Sequence, residues 1–274
     1  MPARLHPAAD PAGWPPAFVQ ARLDGALERG LRVHAIAGLQ GTGKSTLATQ
    51  LVSTARGRGV RAVALSIDDF YLGRRERLRL GRTIHPLCAT RGPPGTHDMP
   101  LACEVLDALV ARVPVRLPRF DKIADRRLPP SRWPVARDVD LVVFEGWFLK
   151  VPPERDSALE APINALERDE DPGGDWRRWV NASLARDYPP LWSRLPWLLF
   201  LQAPGFDVVP DWRWQQERTL QAAHPGRRAM DHGQVARFVQ FFERVSRQAL
   251  AKLPAIADVV VPLDAARTPL PAAR

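Results

Sequence analysis

The sequence predicts an α/β fold built on a mainly parallel sheet. Short apolar runs, of the kind that parallel sheets bury on both faces, alternate with longer segments of helical spacing. A glycine-rich stretch at residues 38–45 joins the first run to the helical segment after it. The chain has 274 residues and is 45% hydrophobic, which is long for one domain and short for two. We therefore expect one domain over residues 1–274, with its core at about 30–264.

Elements of the first half follow from hydrophobic spacing and from Pro or Gly boundaries. The first helix starts at a proline pair, places Val19, Leu23 and Ala26 on one face, and stops at Gly30. The predicted elements are a helix at 15–29, a strand at 31–37, a helix at 45–56, a strand at 61–67 and a helix at 100–112. Residues 74–99 are rich in Arg, Gly and Pro, and we expect a functional loop there.

The second half continues the alternation of strands and helices. It contains strands at 113–117, 139–144, 197–202 and 257–263, and helices at 175–186, 212–223 and 233–252. Pro, Gly and mixed charge at about 150–175 predict an exposed insertion, and we expect a loose tail after residue 265. Trp176, Trp179 and Trp192 could stack on a ligand, but tryptophans at helical spacing are more typical of a core.

Composition excludes several classes of protein. Cys88 and Cys103 are too few for a disulfide framework and lack metal-ligand spacing. The net charge of +9 is spread along the chain with no basic tract, so we expect no nucleic-acid partner. There is no apolar run of about 20 residues and no signal-peptide profile, so we expect a cytoplasmic protein without a membrane partner.

Residues 38–45 read GLQGTGKS and fit the GxxxxGKS pattern of a phosphate-binding loop. Such a loop wraps phosphates with its backbone, and glycine allows positive φ and close approach. The predicted nucleotide contacts are Gly38, Gly41, Thr42, Gly43, Lys44, Ser45 and Thr46. Lys44 can reach the β and γ phosphates of ATP, and the Ser45 hydroxyl can ligate Mg²⁺. A glycine-rich turn without nucleotide is the plainer alternative, but the strand before it and the helix after it favour the loop.

Acidic residues follow two of the predicted strands. Asp68 and Asp69 come after the second strand, and Glu145 ends the strand at 139–144. A carboxylate that orients a hydroxyl and accepts its proton suits phosphoryl transfer. Because neighbouring residues on an extended chain face opposite ways, the two aspartates should do different work. A turn-capping role is the alternative for each of the three.

Five segments resemble the plant-type D-glycerate 3-kinases and their bacterial relatives. They occur in the family's order at residues 66–72 (SIDDFYL), 91–98 (RGPPGTHD), 118–122 (PRFDK) with 125–126 (DR), 144–147 (FEGW) and 212–217 (WRWQQE). The resemblance implies a P-loop kinase fold, an α/β/α sandwich with acceptor-side insertions, and ATP and Mg²⁺ as cosubstrates. It also implies that Asp68 is the base and that Glu145 serves magnesium, directly or through water.

The implied activity is ATP-dependent phosphorylation of D-glycerate at its 3-position. An anionic acceptor needs cations or hydrogen-bond donors. The acceptor-side residues expected from the motifs are Asp69, Tyr71, Arg91, His97, Asp98, Arg119, Asp121, Lys122 and Arg126. Arg213, on the predicted lid helix, could cover the transferring phosphoryl group. The alternatives are a loop-capping role for His97, a surface ion pair for Asp121-Lys122 and a solvated helix face for Arg213.

Two other functions stay open on the sequence alone. Residues 155–180 look like a bacterial variant of an acceptor-side insertion, so the acceptor could be another hydroxy acid, a nucleoside or a pantothenate-like vitamin. A regulatory NTPase is the alternative from another class. Against it, the chain has no NKxD guanine-reading string and no basic stripe with interleaved aromatic residues.

Overall fold

The computed structural model describes residues 13–223 and 230–270. Its strands are β1 Val33–Gly38, β2 Ala62–Ser66, β3 Val115–Arg116, β4 Phe120–Asp121, β5 Arg126–Arg127, β6 Val135–Ala136, β7 Leu141–Gly146, β8 Leu198–Gln202 and β9 Val259–Pro262. Five of them form a sheet in the order β2-β7-β1-β8-β9, and every pair in it is parallel. The predicted fold class is confirmed. β3 pairs with β6, and β4 with β5, in two short antiparallel ribbons.

Helices flank the sheet between these strands. They are α1 Pro16–Glu28, α2 Lys44–Gly57, α3 Arg74–Thr83, α4 Met99–Val110, α5 Ala165–Glu170, α6 Asp175–Asp187, α7 Pro189–Trp192, α8 Val209–Ala223 and α9 His232–Lys252. None of the helices in the described ranges is long and apolar enough to cross a membrane.

Two hydrophobic cores lie on opposite faces of the sheet, because successive residues of β1 point to opposite sides. Ile36 belongs to the core that α1 and α2 cover, together with Leu23 and Leu47. Ala35 belongs to the larger core, which also contains Leu106 of α4 and Val239 of α9. The fold therefore has three layers, with buried strands between two layers of helices.

Strand register brings the acidic residues together. Ser66 at the end of β2 pairs with Glu145 near the end of β7, and Ala37 of β1 pairs with Gly146. The loops that follow β1, β2 and β7 therefore leave the sheet at one carboxyl edge, where ligands of parallel α/β sheets bind.

The expectation of a loop throughout residues 74–99 is wrong in its first part, which forms α3. The Glu76 side chain accepts a hydrogen bond from the Gly73 amide at 2.7 Å and so caps the helix start. The buried residue of this helix is Arg77, whose guanidinium is satisfied by the carbonyls of Leu72 and Ala89 and by the Asp125 carboxylate. Because an arginine occupies the buried face of this helix, the sequence lacks the spacing of apolar residues that would predict it.

The segment at 150–175 is exposed over most of its length, as its charges predict, but two of its carboxylates are buried. Glu167 and Asp171 are each 1% exposed. Glu167 forms an ion pair with Arg244 of α9 at 2.6 Å, and Asp171 pairs with Arg177 at 3.0 Å. These carboxylates can be buried because each is paired with an arginine, one 77 residues away and the other six residues away.

The tail after residue 265 is also ordered as far as residue 270. Leu263 pairs with Pro269 across a turn, and Arg267 donates to the Gly41 carbonyl at 2.7 Å. Residues 271–274 lie outside the described part of the chain. The tail is held because a charged side chain finds a backbone acceptor in the phosphate loop.

Candidate active site at the carboxyl edge of the sheet

The phosphate loop has the backbone that its pattern predicts. Gly41 and Gly43 have φ of +87° and +83°, which favours glycine at both positions. Gly38 lies so close to β8 that a Cβ there would come within 3.1 Å of the Leu201 carbonyl oxygen. The Thr42 hydroxyl is buried and donates to the Leu39 carbonyl at 2.9 Å, and Lys44 Nζ lies 3.4 Å from the same oxygen.

The start of α2 is open for an anion. Gly43 precedes the helix in a left-handed conformation, and no side chain of the described residues caps the first turn. Ser45 and Thr46 lie in this turn and are exposed. Free N–H groups and the helix dipole favour a phosphate at this position.

Ser45 and Glu145 form a pair of oxygen ligands suited to magnesium. The Ser45 hydroxyl donates to Glu145 Oε1 at 2.8 Å. The other carboxylate oxygen, Oε2, is buried and has no hydrogen-bond partner among the described residues. A buried carboxylate oxygen without a donor is unfavourable unless a cation or water satisfies it. Hydroxyl and carboxylate oxygens are ligands that Mg²⁺ accepts, so these residues fit the ion.

Asp68 lies between a cation and a hydroxyl donor. Lys122 Nζ is 2.6 Å from Oδ2, and the Tyr71 hydroxyl donates to Oδ1 at 2.7 Å. Burial alone would raise the pKa of Asp68, but Lys122, Tyr71 and the charge of Lys44 together hold that pKa well below its ordinary range. The carboxylate is therefore ionised at neutral pH. The Asp68 charge is also the main cause that raises the pKa of Lys122, which keeps its ammonium charged.

Asp69 faces a different set of partners. Its carboxylate pairs with Arg119 at 3.1 Å and accepts from the amides of Ser66 and Phe120, each at 3.4 Å. Burial raises its pKa despite these contacts. The two aspartates thus have different partners, although residues 67–70 form a 3-10 turn and not the extended chain that the sequence argument assumed. Asp69 joins this turn to the segment that carries Arg119.

Arg91 holds the turn that carries Lys122. Its guanidinium donates to Asp125 Oδ1 at 2.7 Å and to the Lys122 carbonyl at 3.1 Å. Arg77 binds the same Asp125 oxygen at 2.7 Å. Asp125 has φ of +51°, so two arginines support a strained turn position. Arg91 therefore contacts the protein's own carboxylate and stabilises the position of Lys122.

Three other predicted acceptor-side residues are either hydrogen-bonded within the protein or exposed. Asp98 caps α4 through the Leu101 amide at 3.2 Å and pairs with Arg127 at 3.0 Å. Asp121 accepts from two amides in its own turn at 3.0 and 2.9 Å. Arg126 is exposed and makes no ion pair within the described part of the chain. These contacts support the segments around Asp68.

His97 is buried and neutral, so it is not a cation. Burial lowers its pKa to about 3. The Tyr188 oxygen accepts from the Gly95 amide at 2.9 Å and lies 2.7 Å from His97 Nδ1. In the tautomer whose Nδ1 accepts the Tyr188 proton, Nε2 carries the imidazole proton and is a hydrogen-bond donor. Nε2 is buried with no partner among the described residues.

Arg213 lies on α8, immediately after a tryptophan that packs on the phosphate loop. A Cβ on Gly41 would come within 2.6 Å of Trp212 Cβ. The Arg213 guanidinium pairs with Glu217 one turn later at 3.1 Å and lies over the Phe238 ring of α9. Arg213 is therefore half-buried between two helices. The alternative of a solvated helix face is wrong, and the predicted contact with a phosphoryl group stays a prediction.

The three tryptophans have the core role that their helical spacing favours. Trp176 is buried in the larger core, and Trp179 and Trp192 pack against it. A Cβ on Gly95 would come within 2.3 Å of the Trp179 ring, so α6 packs directly against the 91–98 loop.

Sequence reasoning missed Arg77, Arg127 and Tyr188. Arg127 donates to the Tyr71 carbonyl at 3.0 Å and pairs with Asp98. These residues connect segments that are far apart in the sequence. The one available signal was the position of Arg127 directly after the 125–126 motif.

Three features at one sheet edge define a P-loop kinase. They are the phosphate loop, the strand-end Glu145 beside Ser45, and Asp68 after β2. No family model matches the chain. The uncharacterized kinase mug58 of Schizosaccharomyces pombe is 34% identical over 219 residues, which cover 76% of each chain. The chloroplastic D-glycerate 3-kinase of Arabidopsis thaliana is 28% identical over 215 residues, which cover 73% of this chain and 43% of that protein.

Among solved structures, D-glycerate 3-kinase from Cryptococcus neoformans superposes with a TM-score of 0.73 at 23% identity. The match covers 93% of this chain and 96% of that one, and it supports the fold. The chain belongs to the family of P-loop kinases that comprises the plant-type D-glycerate 3-kinases and their relatives.

Proposed function

We propose that this kinase transfers the γ-phosphoryl group of ATP to a hydroxyl of a small anionic acceptor. The proposed acceptor is D-glycerate, which is phosphorylated on its 3-hydroxyl. One observation carries the proposal. Asp68 lies at the same sheet edge as the phosphate loop, in contact with both Lys122 and Tyr71. The names of the plant and Cryptococcus relatives support D-glycerate as the acceptor.

Asp68 orients the acceptor hydroxyl and takes its proton. Its pKa is held low, so the carboxylate is ionised whenever the enzyme works. A low pKa makes it a weak base, which suits a loose transition state in which the nucleophile needs orientation more than full deprotonation. Tyr71 keeps the carboxylate in place through its hydroxyl.

Lys44 and the N–H groups at the start of α2 bind the phosphates and stabilise negative charge in the transition state. Ser45 and Glu145 would hold Mg²⁺. The ion supplies charge neutralisation at the phosphate oxygens when it is bound. When α8 closes over the site, the Arg213 guanidinium is proposed to contact the transferring phosphoryl group.

Lys122 and the buried His97 Nε2 supply a charge and a donor for the acceptor's carboxylate. Lys122 can exchange its contact with Asp68 for one with the acceptor, because its side chain is 58% exposed. A site with these donors disfavours an uncharged alcohol, since the buried His97 Nε2 would then lack a partner and Lys122 would gain no opposite charge.

The test is an acceptor panel with the full-length protein. Purified enzyme is incubated with Mg-ATP and D-glycerate, L-glycerate, pantothenate, uridine, ribulose 5-phosphate or no acceptor, and ADP and phosphorylated product are measured. We expect ADP release that requires D-glycerate and yields 3-phosphoglycerate. The Lys44→Met variant is the control for contaminating kinases. Dependence on a different acceptor overturns the substrate, and steady ADP release without any acceptor favours a regulatory NTPase.

A further inference from the structure

Two loop carbonyls of the phosphate loop are bound by side chains from distant parts of the chain. The indole Nε1 of Trp14 donates to the Gly43 carbonyl at 3.0 Å. Arg267 Nε donates to the Gly41 carbonyl at 2.7 Å from 226 residues away. Neither residue belongs to the GxxxxGKS pattern or to the acceptor-side motifs.

Both donors are fixed in place by further contacts. Trp14 is 8% exposed, and its backbone exchanges two hydrogen bonds with the Gln50 side chain of α2 at 2.9 and 3.0 Å. Arg267 lies over the Trp212 ring, and its Nη2 donates to Gln215 Oε1 at 2.7 Å. Two elements that flank the loop, α2 and α8, therefore hold the two donors.

The same aromatic side chains lie directly on the loop glycines. A Cβ on Gly43 would come within 3.2 Å of Trp14 Nε1, and one on Gly41 within 2.6 Å of Trp212 Cβ. The glycines thus allow close approach of protein side chains on the outer surface of the loop, in addition to phosphates on its inner surface.

Fixing a carbonyl also fixes the next N–H, because the peptide unit is planar and the two groups point in opposite directions. The Gly43 carbonyl is held by Trp14 and by the Leu47 amide of the helix, which orients the N–H of Lys44. The Gly41 carbonyl is held by Arg267, while the N–H of Thr42 donates to Leu39. A loop held in this way has less conformational freedom to lose when a phosphate binds.

We propose that Trp14 and Arg267 are positioning residues of the nucleotide site. They hold the outer surface of the phosphate loop, so that the Lys44 N–H is oriented and the loop has less conformational freedom to lose when a polyphosphate binds. The inference requires that the loop binds a nucleotide and is independent of the acceptor.

The experiment is a calorimetric titration of the full chain with Mg-ATP, magnesium tripolyphosphate and adenosine, without acceptor. Trp14→Phe removes the indole donor to Gly43, and Arg267→Met removes the donor to Gly41 together with the bond to Gln215 and the positive charge. Both variants keep an apolar body of similar size. Trp133→Phe and Arg56→Met are matched controls, since Trp133 Nε1 donates to the Leu128 carbonyl at 2.7 Å and Arg56 Nε to the Ala62 carbonyl at 3.0 Å, away from the loop. The melting temperature of every variant is recorded.

We expect Trp14→Phe and Arg267→Met each to weaken both Mg-ATP and tripolyphosphate binding by about three- to tenfold, the range of one hydrogen bond. The controls should stay within about twofold of wild type, whatever their effect on melting temperature. Unchanged polyphosphate affinity in both variants overturns the proposal and leaves the proposed acceptor untouched. A fall in adenosine affinity with unchanged tripolyphosphate affinity also overturns it, because the side chains would then contact the nucleoside.

Discussion

Substitution of the adjacent aspartates should separate chemistry from structure. Asn replaces each carboxylate at nearly the same size, so Asp68→Asn and Asp69→Asn remove charge with little change in packing. Asp68 contacts Lys122 and Tyr71, and its proposed role is proton acceptance. Loss of a general base lowers rate by about 10²- to 10⁴-fold, so Asp68→Asn should lower kcat by that factor while Mg-ATP affinity changes little.

The magnitude for Asp69→Asn follows from its contacts. The ion pair with Arg119 spans 3.1 Å, but the two side chains are 19% and 34% exposed, so its net contribution is about 1 kcal/mol or less. The two amide contacts of Asp69 at 3.4 Å are long and weak, and an Asn oxygen keeps part of them. The expected loss is about 1–2 kcal/mol of unfolding free energy, or about 2–8 °C in Tm. The value of kcat should stay within about tenfold.

Steady-state ADP release with saturating Mg-ATP and D-glycerate measures kcat, and thermal unfolding measures Tm for both variants. The reasoning is refuted by the reverse pattern, in which Asp69→Asn loses more than about 10²-fold in kcat and Asp68→Asn keeps near wild-type turnover. Equal losses would mean that the pair acts as one unit, which the separate contacts of the two carboxylates contradict.

Four further outcomes follow from the site. Glu145→Gln should raise the Mg²⁺ concentration needed for half-maximal activity by about tenfold or more, because the metal site loses the negative charge beside Ser45. Lys122→Met should move the acid limb of kcat to higher pH, because burial then raises the pKa of Asp68 with less opposition. His97→Gln should flatten the fall of Tm on acidification. Burial lowers the pKa of the His97 imidazole in the folded state to about 3. Its contribution to the free energy of unfolding is therefore fully present above the pKa of the unfolded state and is lost as pH falls. The loss is about 1 kcal/mol between pH 6.5 and 5.5. Gly41→Ala should lower ATP affinity strongly, because φ is +87° and the new Cβ would lie 2.6 Å from a side-chain carbon.

Each of these outcomes has a clear contrary result. Unchanged magnesium dependence in Glu145→Gln would place the ion elsewhere. An acid limb that stays fixed in Lys122→Met would show that Asp68 does not govern it. Unaltered pH dependence of Tm in His97→Gln would assign the effect to other groups, such as the buried His34, whose pKa burial also lowers to about 3. Gly59→Ala is the control for Gly41→Ala, since Gly59 has φ of +79° with no atom within 4 Å of the added Cβ.

The buried charges that the sequence interpretation missed share one cause. Arg77 occupies the buried face of α3, and Glu167 and Asp171 are buried in α5 and just after it. A charged residue in a sequence predicts a solvated position, and it is buried only where a partner from elsewhere neutralises it. Those partners, Asp125, Arg244 and Arg177, are not adjacent in the sequence, so only the folded chain reveals them.

The sequence by itself determined the α/β class, the parallel strands, the phosphate loop and the positions of Asp68 and Glu145 at strand ends. These features depend on local spacing and on backbone requirements that glycine satisfies. Only the tertiary structure decided which aspartate contacts Lys122, that His97 is buried and neutral, and that Arg91 supports a turn. Contacts and pKa shifts of this kind arise from burial and from charges far apart in the chain, which no local pattern records.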